Sequence, residues 1–306
     1  MNILIAGASG FIGRELVNKL GQNNNITVLG RSMSKLEQAF PGSLDKLTWE
    51  NLSTRNATAF DLIINLSGSN IGAGRWRPSV KKELIESRTL TNRDLVSWLL
   101  KYMAKPRFFC ANAVGIYGAQ ERSTDFFDED TIIPSSSDDF LQQIGTAWEQ
   151  SLQTAIDASI PVTILRFGVV LKKGEGMLKK LELPFRLGAG SVLGSGLQTL
   201  SWIHYQDLVN ALNFLIEHPE ITGPVNITAP LAVTQQEFAK ALAKSLNRPL
   251  LFKTPSWVIK ALFGEMGEYL LLKGQKVWPK RLTDLGFEFA YPNIEAALTH
   301  EYENKT

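Results

Sequence analysis

Apolar runs and amphipathic stretches alternate through the first half of the chain. Short apolar runs predict buried strands, whereas longer stretches with apolar positions at helical spacing predict helices. Strands are predicted at residues 3–6, 26–29, 47–49, 61–66, 107–113 and 161–171. Helices are predicted at 15–20, from Ser79 to about Met103, and from Asp139 to about Asp157. This alternation predicts an α/β fold with one doubly wound parallel sheet.

A glycine-rich turn joins the first predicted strand to the first predicted helix. Gly7, Gly10 and Gly13 follow the apolar run at three-residue spacing. Such a turn lets the backbone approach a pyrophosphate, and the helix that follows presents free N–H groups to it. A purely structural glycine turn is the alternative, but the adjoining strand and helix favour a Rossmann-type dinucleotide site. The predicted cofactor contacts here are Gly7, Ser9, Gly10, Phe11, Ile12 and Gly13.

The pattern loosens after Lys172. Residues 183–190 and 194–196 are rich in Gly and Pro and predict loops, and a short strand (199–204) and a helix (205–217) follow. A strand at 224–227, a helix at 234–246 and short helices at 255–260 and 267–274 complete the chain. We therefore predict a Rossmann core over 1–172, with contributions from 200–230, and a smaller substrate or lid lobe over 173–306. This C-terminal lobe includes a small domain at 248–300.

The end of the second strand favours NADP over NAD. In a Rossmann fold an acidic residue at this place bonds the ribose 2′-hydroxyl of NAD, whereas an arginine accommodates the 2′-phosphate of NADP. Gly30-Arg31-Ser32 stands here, without Asp or Glu. A guanidinium can hold a phosphate by two parallel hydrogen bonds. The alternative is that Arg31 is an exposed loop arginine.

The fourth strand delivers Leu66, Ser67 and Gly68 to the carboxyl edge of the sheet, where ligands bind. We expect these residues to contact the cofactor, although the stretch could also be a turn that ends a core strand. On the helix that follows, Glu83 and Arg88 are most simply surface charges. Because this helix should cross the cofactor face of the sheet, Arg88 could also reach the phosphates.

The amino-acid composition argues against several classes of binding partner. Thirty-two Lys and Arg residues against 30 Asp and Glu residues leave a formal charge of +2, which does not suggest nucleic acid or a membrane surface. Cys110 is the single cysteine and the three histidines are scattered, so neither a disulfide nor a metal site is predicted. No run approaches the ~18 apolar residues of a membrane helix. With no basic leader before the first strand, we expect a cytoplasmic protein.

Several motifs occur in an order that resembles one known group of proteins. Gly-x-x-Gly-x-x-Gly resembles the short-chain dehydrogenase/reductase superfamily in its extended, epimerase-type branch. Nearly the whole chain is similar to the atypical members called epimerase family, subgroup 39U, including a small C-terminal domain of unknown function. The motifs are Gly7–Gly13, Asn65–Gly68, Arg75-Trp76, Ser87-Arg88, Trp148-Glu149, Leu183–Arg186, Gly194–Gly196, Trp202–His204 and Gly274–Val277. The resemblance implies NADP as cofactor, with contacts at Gly30, Arg31, Leu66, Ser67, Glu83, Arg88 and Val170.

The proton relay of that superfamily is missing. Its working enzymes use a Tyr-x-x-x-Lys pair after the fifth strand, and the matching places here are roughly Leu141 and Gly145. The place of the substrate-holding serine is Ala113. Tyr117 remains as a candidate catalytic acid, or alternatively as a pocket wall or a buried aromatic. With no cationic neighbour visible in the sequence, its proton should stay on at neutral pH.

Three further residues are candidate substrate contacts. Arg75 and Arg186 would suit an anionic substrate, and each could instead be a surface charge. His204 could be a general acid, although a histidine at a strand end is more often structural.

The sequence leaves three functions open. The first is an NADP-dependent oxidoreductase or epimerase of this atypical branch that acts on a small substrate. The second is a catalytically degenerate NADP(H)-binding sensor, which the missing relay favours. The third, a nucleotide-sugar epimerase proper, needs that relay. The helices at 79–103 and 139–157 could pair into a homodimer seam or stay solvated.

Overall fold

A parallel sheet of seven strands forms the centre of the computed structural model, which describes residues 1–122 and 125–303. The strands are β1 (Asn2–Ala6), β2 (Asn25–Gly30), β3 (Asp45–Thr48), β4 (Leu62–Asn65), β5 (Arg107–Ala113), β6 (Val162–Phe167), β7 (Val169–Leu171), β8 (Ser191–Leu193), β9 (Thr199–Leu200), β10 (Trp202–His204), β11 (Gly223–Ile227), β12 (Val233–Thr234) and β13 (Phe252–Thr254). The large sheet has the order β11-β6-β5-β4-β1-β2-β3, and β7–β10, β9–β12 and β8–β13 form two-stranded sheets. The predicted doubly wound parallel sheet is thereby confirmed.

Helices cover the sheet and build the C-terminal region. They are α1 (Phe11–Leu20), α2 (Met33–Ala39), α3 (Pro78–Lys101), α4 (Phe140–Gln150), α5 (Gln153–Asp157), α6 (Gly176–Arg186), α7 (Tyr205–Glu217), α8 (Gln235–Ser245), α9 (Ser256–Phe263), α10 (Glu265–Leu271), α11 (Lys280–Asp284) and α12 (Ile294–Glu303). Within the described ranges, no helix combines the length and apolarity that crossing a bilayer requires.

The strand order sets the position of the ligand site. The chain runs outward from β1 to β2 and β3, then returns to place β4 on the other side of β1. Between β1 and β4 the strand order reverses, which leaves a crevice outside their carboxyl ends. Ile3, Leu4 and Ile5 of β1 are completely buried, as expected for a strand with helices on both faces. The crevice therefore lies at the end of a completely buried strand.

Several sequence predictions need correction. The predicted third strand ends before Trp49, which begins a 3₁₀ helix (Trp49–Thr54). The predicted sixth strand divides at Gly168, because β6 stays in the large sheet whereas β7 leaves it to pair with β10. The predicted loop at 183–190 begins within α6, which contains Pro184. The apolar residues Leu178 and Phe185 bury one side of α6, so packing outweighs the backbone hydrogen bond lost at proline.

Of the two long predicted helices, one is continuous and the other is divided. The helix predicted from Asp139 to Asp157 is divided into α4 and α5, whereas the one predicted from Ser79 is continuous as α3. The two pack together through Asn92, whose Nδ2 donates to Ser151 Oγ at 2.8 Å. The homodimer seam expected along these helices stays a prediction.

Candidate cofactor site

A cleft of ≈ 340 Å³ lies at the carboxyl ends of β1, β2 and β4. Eight of the predicted cofactor residues meet here, and five further residues join them: Leu29, Trp49, Ser69, Ser87 and Thr91. Its lining comprises Gly7, Ser9, Gly10, Leu29, Gly30, Arg31, Trp49, Leu66, Ser67, Gly68, Ser69, Ser87 and Thr91. The structure thus brings together segments that are up to 84 positions apart in the sequence (residue 91 minus residue 7).

Gly7 holds the glycine-rich turn against the end of β4. Its φ is +76°, a left-handed conformation that a residue with a side chain adopts only at a cost. A Cβ at this position would lie 2.8 Å from the carbonyl carbon of Leu66 and 2.9 Å from the amide nitrogen of Ser67. The Gly10 amide then donates to the Gly7 carbonyl at 3.0 Å. Glycine is therefore required for the two walls of the cleft to approach.

We expect Gly7→Ala to weaken cofactor binding by about tenfold or more, because the added methyl group pushes Leu66 and Ser67 out of place. Gly42→Ala is the matched control. Gly42 also has positive φ (+103°), but a Cβ there meets no atom within 4 Å. Titration of both variants with NADPH separates the contact from the backbone cost, and equal affinities would contradict this account of Gly7.

The first turn of α1 offers an anion site at the floor of the cleft. Gly10 is the N-cap residue, no side chain caps the helix, and its first turn contains no acidic residue. The free N–H groups and the partial positive charge of a helix N-terminus favour a phosphate at such a place. Phe11, Ile12 and Gly13, which were predicted as cofactor contacts, form this first turn.

Arg31 and Trp49 lie at the end of the cleft that β2 and β3 form. Arg31 is exposed directly after β2, and half-buried Trp49 follows β3, the next strand in the sheet. A guanidinium suits a ribose 2′-phosphate, and an indole suits the flat face of an adenine. Trp49 was missed because it was assigned to a strand, although an aromatic residue directly after a parallel strand was a usable signal.

Polar groups of α3 support the opposite wall. The Ser69 amide donates to Ser87 Oγ at 3.0 Å, and Ser69 Oγ donates to the exposed Glu83 at 2.8 Å. Arg88 is buried behind Gly68, where its guanidinium donates to the carbonyl oxygens of Ser69 (3.0 Å) and Leu84 (2.9 Å). Burial lowers the pKa of Arg88 to about 10. Among the described residues no carboxylate pairs with this arginine, so its positive charge remains uncompensated beside the cleft.

The packing of α4 accounts for the missing proton relay. A Cβ at Gly145 would lie 2.8 Å from the Cβ of Ile116, so the helix touches the 3₁₀ turn Val114–Tyr117 directly. One turn earlier, Leu141 packs against Gly115, where a Cβ would come within 3.1 Å of the leucine Cβ. The places of the tyrosine and the lysine are therefore filled by apolar contact, and a lysine at 145 has no room.

Tyr117 is buried, and protein groups occupy its hydroxyl. The hydroxyl accepts from Arg166 Nη1 and donates to Asn226 Oδ1, each at 2.9 Å. The expectation of no cationic neighbour was wrong, because β6 brings Arg166 from 49 positions away. Burial outweighs this cation and raises the pKa of Tyr117 to about 12, which favours a protonated hydroxyl at neutral pH. With its proton directed at Asn226, Tyr117 is better placed to order the site than to act as an acid.

Arg166 is the centre of a network that sequence reasoning missed. Its Nε and Nη2 bind the two carboxylate oxygens of Glu149 at 2.8 and 2.9 Å. Asn112 Nδ2 donates to the same carboxylate at 2.9 Å. The side chain of Arg166 is only 5% exposed. The network therefore fastens α4 to β5 and β6 at the edge of the sheet where ligands bind.

We expect Tyr117→Phe to lower the free energy of unfolding by about 1–3 kcal/mol, because Arg166 and Asn226 each lose a buried partner. Cofactor affinity should not change. Tyr302→Phe is the control: among the described residues the buried Tyr302 hydroxyl has no hydrogen-bond partner, so its removal should cost nothing. Urea unfolding and NADPH titration of both variants check this, and a loss of affinity in Tyr117→Phe would return Tyr117 to the binding site.

His204 does not reach the cleft. It is 0% exposed, its Nε2 lies 2.9 Å from Glu301 of α12, and its Nδ1 accepts from the Gln206 amide at 3.4 Å. The geometry therefore corrects the expected substrate contact to a structural role that fixes α12. His300, distant in sequence, lies beside it with ring centroids 5.5 Å apart.

The two arginines expected to attract an anionic substrate are also engaged elsewhere. Arg75 donates to the main-chain carbonyls of Ala261 and Leu262 in α9. Arg186 is exposed on α6 and pairs with Glu182 at 2.9 Å. Neither arginine lines the cleft. Val170 of β7, a predicted cofactor contact, does not line it either. It lies beside the start of α6, where a Cβ at Gly176 would be 3.6 Å from the carbonyl oxygen of Val170.

The sheet and the cleft together define a dinucleotide-binding α/β protein. The model of the NAD dependent epimerase/dehydratase family matches residues 3–228, and a domain of unknown function (DUF1731) matches residues 254–301. The chain belongs to the NAD dependent epimerase/dehydratase family.

Relatives share almost the whole chain. It is 38% identical to the epimerase family protein SDR39U1 homolog, chloroplastic, of Arabidopsis thaliana, covering 97% of this chain and 86% of that protein. It is 34% identical to the epimerase family protein YfhF of Bacillus subtilis, covering 98% and 97% of the two chains. The crystal structure of human epimerase family protein SDR39U1 (isoform 2) with NADPH matches with a TM-score of 0.88 at 32% identity, over 100% of both chains. The resemblance found in the sequence is thereby confirmed.

Proposed function

We propose that the protein binds NADP(H) in the cleft and acts as an oxidoreductase on a small substrate. The observation that carries this proposal is the cleft itself, in which a glycine turn, a helix N-terminus and Arg31 face one space. The similar human protein SDR39U1, whose crystal structure contains NADPH, supports the choice of cofactor.

Different residues of the cleft bind different parts of the cofactor. The amides of the glycine turn and the first turn of α1 hold the pyrophosphate, and the buried charge of Arg88 adds to their field. Arg31 holds the 2′-phosphate, and Trp49 packs on the adenine. Leu66 and Ser67 close the opposite side of the cleft. NADPH supplies a hydride when bound, so the protein contributes orientation and charge.

The proton must follow a different route from that of related reductases. Leu141 and Gly145 cannot titrate, and Tyr117 directs its proton to Asn226. When a carbonyl carbon is reduced here, the carbonyl oxygen therefore takes its proton from water or from a hydroxyl that lines the cleft, such as that of Ser67. Without a tyrosine of lowered pKa, we expect slow turnover with little dependence on pH between 6 and 9.

A sensor without catalysis is the second candidate function. The specific observation in its favour is the apolar contact that fills the relay positions, since Gly145 lies against Ile116 with no space for a lysine. A sensor would bind NADPH and NADP⁺ with different affinities and turn over neither.

One experiment separates the two candidates. NADPH fluorescence measures binding, and absorbance at the nicotinamide band then measures turnover with a panel of aldehydes, ketones and nucleotide sugars. Oxidation of NADPH by any carbonyl compound, at a rate proportional to protein, supports the oxidoreductase. Binding without turnover on every member supports the sensor.

A further inference from the structure

A second cavity, of ≈ 140 Å³, lies in the C-terminal half of the chain. Helices α6, α8 and α10 and strands β8 and β9 surround it. Most of its wall is apolar, with Met177, Leu181, Phe185, Leu200, Phe238 and Leu271 among its residues. Concave, mostly apolar spaces with few polar groups are the usual sites of small molecules.

Most polar side chains in the wall bind other groups of the protein. Gln198 Nε2 donates to the carbonyls of Leu193 (3.1 Å) and Leu271 (2.7 Å), and Gln235 Oε1 accepts from the Leu193 amide at 2.9 Å. The ammonium of Lys273 is 3.1 Å from a carboxylate oxygen of Glu268. What remains for a ligand is an apolar surface with no uncompensated charge among the described wall residues.

Helix α6 begins beside the glycine-rich turn and continues along the wall of this cavity. At its start, a Cβ at Gly176 would lie 3.9 Å from the Phe11 ring of the cofactor turn and 3.6 Å from the Val170 carbonyl oxygen. Met177 and Leu181 follow on one face of the same helix, since residues four apart are neighbours, and both line the cavity. The wall of the cavity therefore begins next to Phe11, a predicted cofactor contact, and Val170.

The volume indicates what fits. An engineered apolar protein cavity of about 150 Å³ stays dry and binds benzene. A space of ≈ 140 Å³ therefore accommodates a group of about six carbon atoms, such as a phenyl ring or a branched alkyl group. Hydration of this apolar surface is unfavourable, so filling it supplies binding energy to orient the rest of the substrate.

We propose that this cavity is the substrate-specificity pocket and that it takes the apolar substituent of a small carbonyl compound. The inference rests on the proposed function and names its substrate class. The carbonyl carbon accepts the hydride from NADPH, and the carbonyl oxygen accepts a proton from water, so the products are an alcohol, NADP⁺ and hydroxide. Reduction consumes two electrons, both carried by the hydride.

The same wall argues against an anionic or sugar-containing substrate in this pocket. A diphosphate or a set of sugar hydroxyls loses water on binding and needs donors and cations in return. Lys273 is paired with Glu268, and the predicted anion contacts Arg75 and Arg186 are bound elsewhere.

The test uses the full-length protein with NADP⁺ and acetophenone as the probe, with affinity measured by ligand-observed NMR. Leu181→Trp fills the cavity, and we expect at least a tenfold loss of acetophenone affinity. Leu183→Trp is the matched control, because Leu183 lies on the same helix but is 64% exposed and outside the cavity. Leu200→Phe, a smaller filling of the same space, replaces Leu181→Trp should that variant fail to fold.

NADPH affinity is measured separately for every variant. Acetophenone binding that survives in Leu183→Trp and falls tenfold in Leu181→Trp, at constant NADPH affinity, supports the pocket. Equal acetophenone affinity in both variants overturns it, as does NADPH binding without any acetophenone binding, or displacement of acetophenone by UDP-glucose. If the unmutated protein does not bind NADPH, the proposed function is overturned instead. Acetophenone affinity measured without cofactor then still tests the cavity.

Discussion

Arg31→Asp is expected to weaken NADPH binding by about a hundredfold and to change NADH binding by less than about threefold. Two hydrogen bonds from a guanidinium to a phosphate contribute about 3 kcal/mol together, which corresponds to roughly a hundredfold in affinity. The aspartate adds repulsion of the 2′-phosphate, whereas NADH has only a hydroxyl at that position. Equilibrium titration with each cofactor measures both effects.

Lys19→Asp is the control for this prediction. It makes the same change of charge, but Lys19 lies in the last turn of α1 and does not line the cleft. Its NADPH affinity should stay within about threefold of the unmutated protein, because exposed charges at a distance are screened by salt. Parallel losses for NADPH and NADH in Arg31→Asp would remove this residue from the phosphate site.

Glu149→Ala is expected to lower the free energy of unfolding by about 3 kcal/mol. Removing one partner of a buried ion pair leaves the other charge uncompensated, which costs roughly 3–5 kcal/mol. We expect the lower end of this energy range, because the Glu149 side chain is 19% exposed although Arg166 is buried. Asn112 loses an acceptor in the same variant.

Glu182→Ala provides the matched comparison. Glu182 pairs with Arg186 at the surface of α6, four residues apart in the helix. Exposed pairs of this kind contribute only about 0.3–0.5 kcal/mol. Measured by urea unfolding, the loss in free energy of unfolding should therefore be several-fold larger in Glu149→Ala than in Glu182→Ala. Similar small losses in both variants would show that the Glu149–Arg166 pair contributes little to stability.

Local sequence patterns predicted the part of the site that is built locally. The run Ile3–Ala6, the glycine turn and α1 are adjacent in sequence, so one stretch carries the strand, the phosphate site and its helix. Arg31 could be assigned to the predicted cofactor site because it directly follows the second strand, whose position in a Rossmann fold is known. The same reasoning extended to Leu66 and Ser67, since the carboxyl ends of parallel strands share one edge.

Contacts between distant residues decided what the sequence did not predict. The cation beside Tyr117 is Arg166 of β6. The buried His204 binds Glu301 of α12, which lies 97 positions away in the sequence. Neither pairing leaves a periodic signal in the chain. In α6, Pro184 and the nearby glycines indicated a loop, but the burial of Leu178 and Phe185 was stronger than that local preference.

The most direct test of the account is calorimetric titration of the unmutated protein with NADPH and with NADH at low salt. We predict a single site per chain that binds NADPH at least about tenfold more tightly than NADH, since only NADPH offers a 2′-phosphate to Arg31. Absence of binding by both cofactors, or tighter binding of NADH, would contradict the assignment of the cleft.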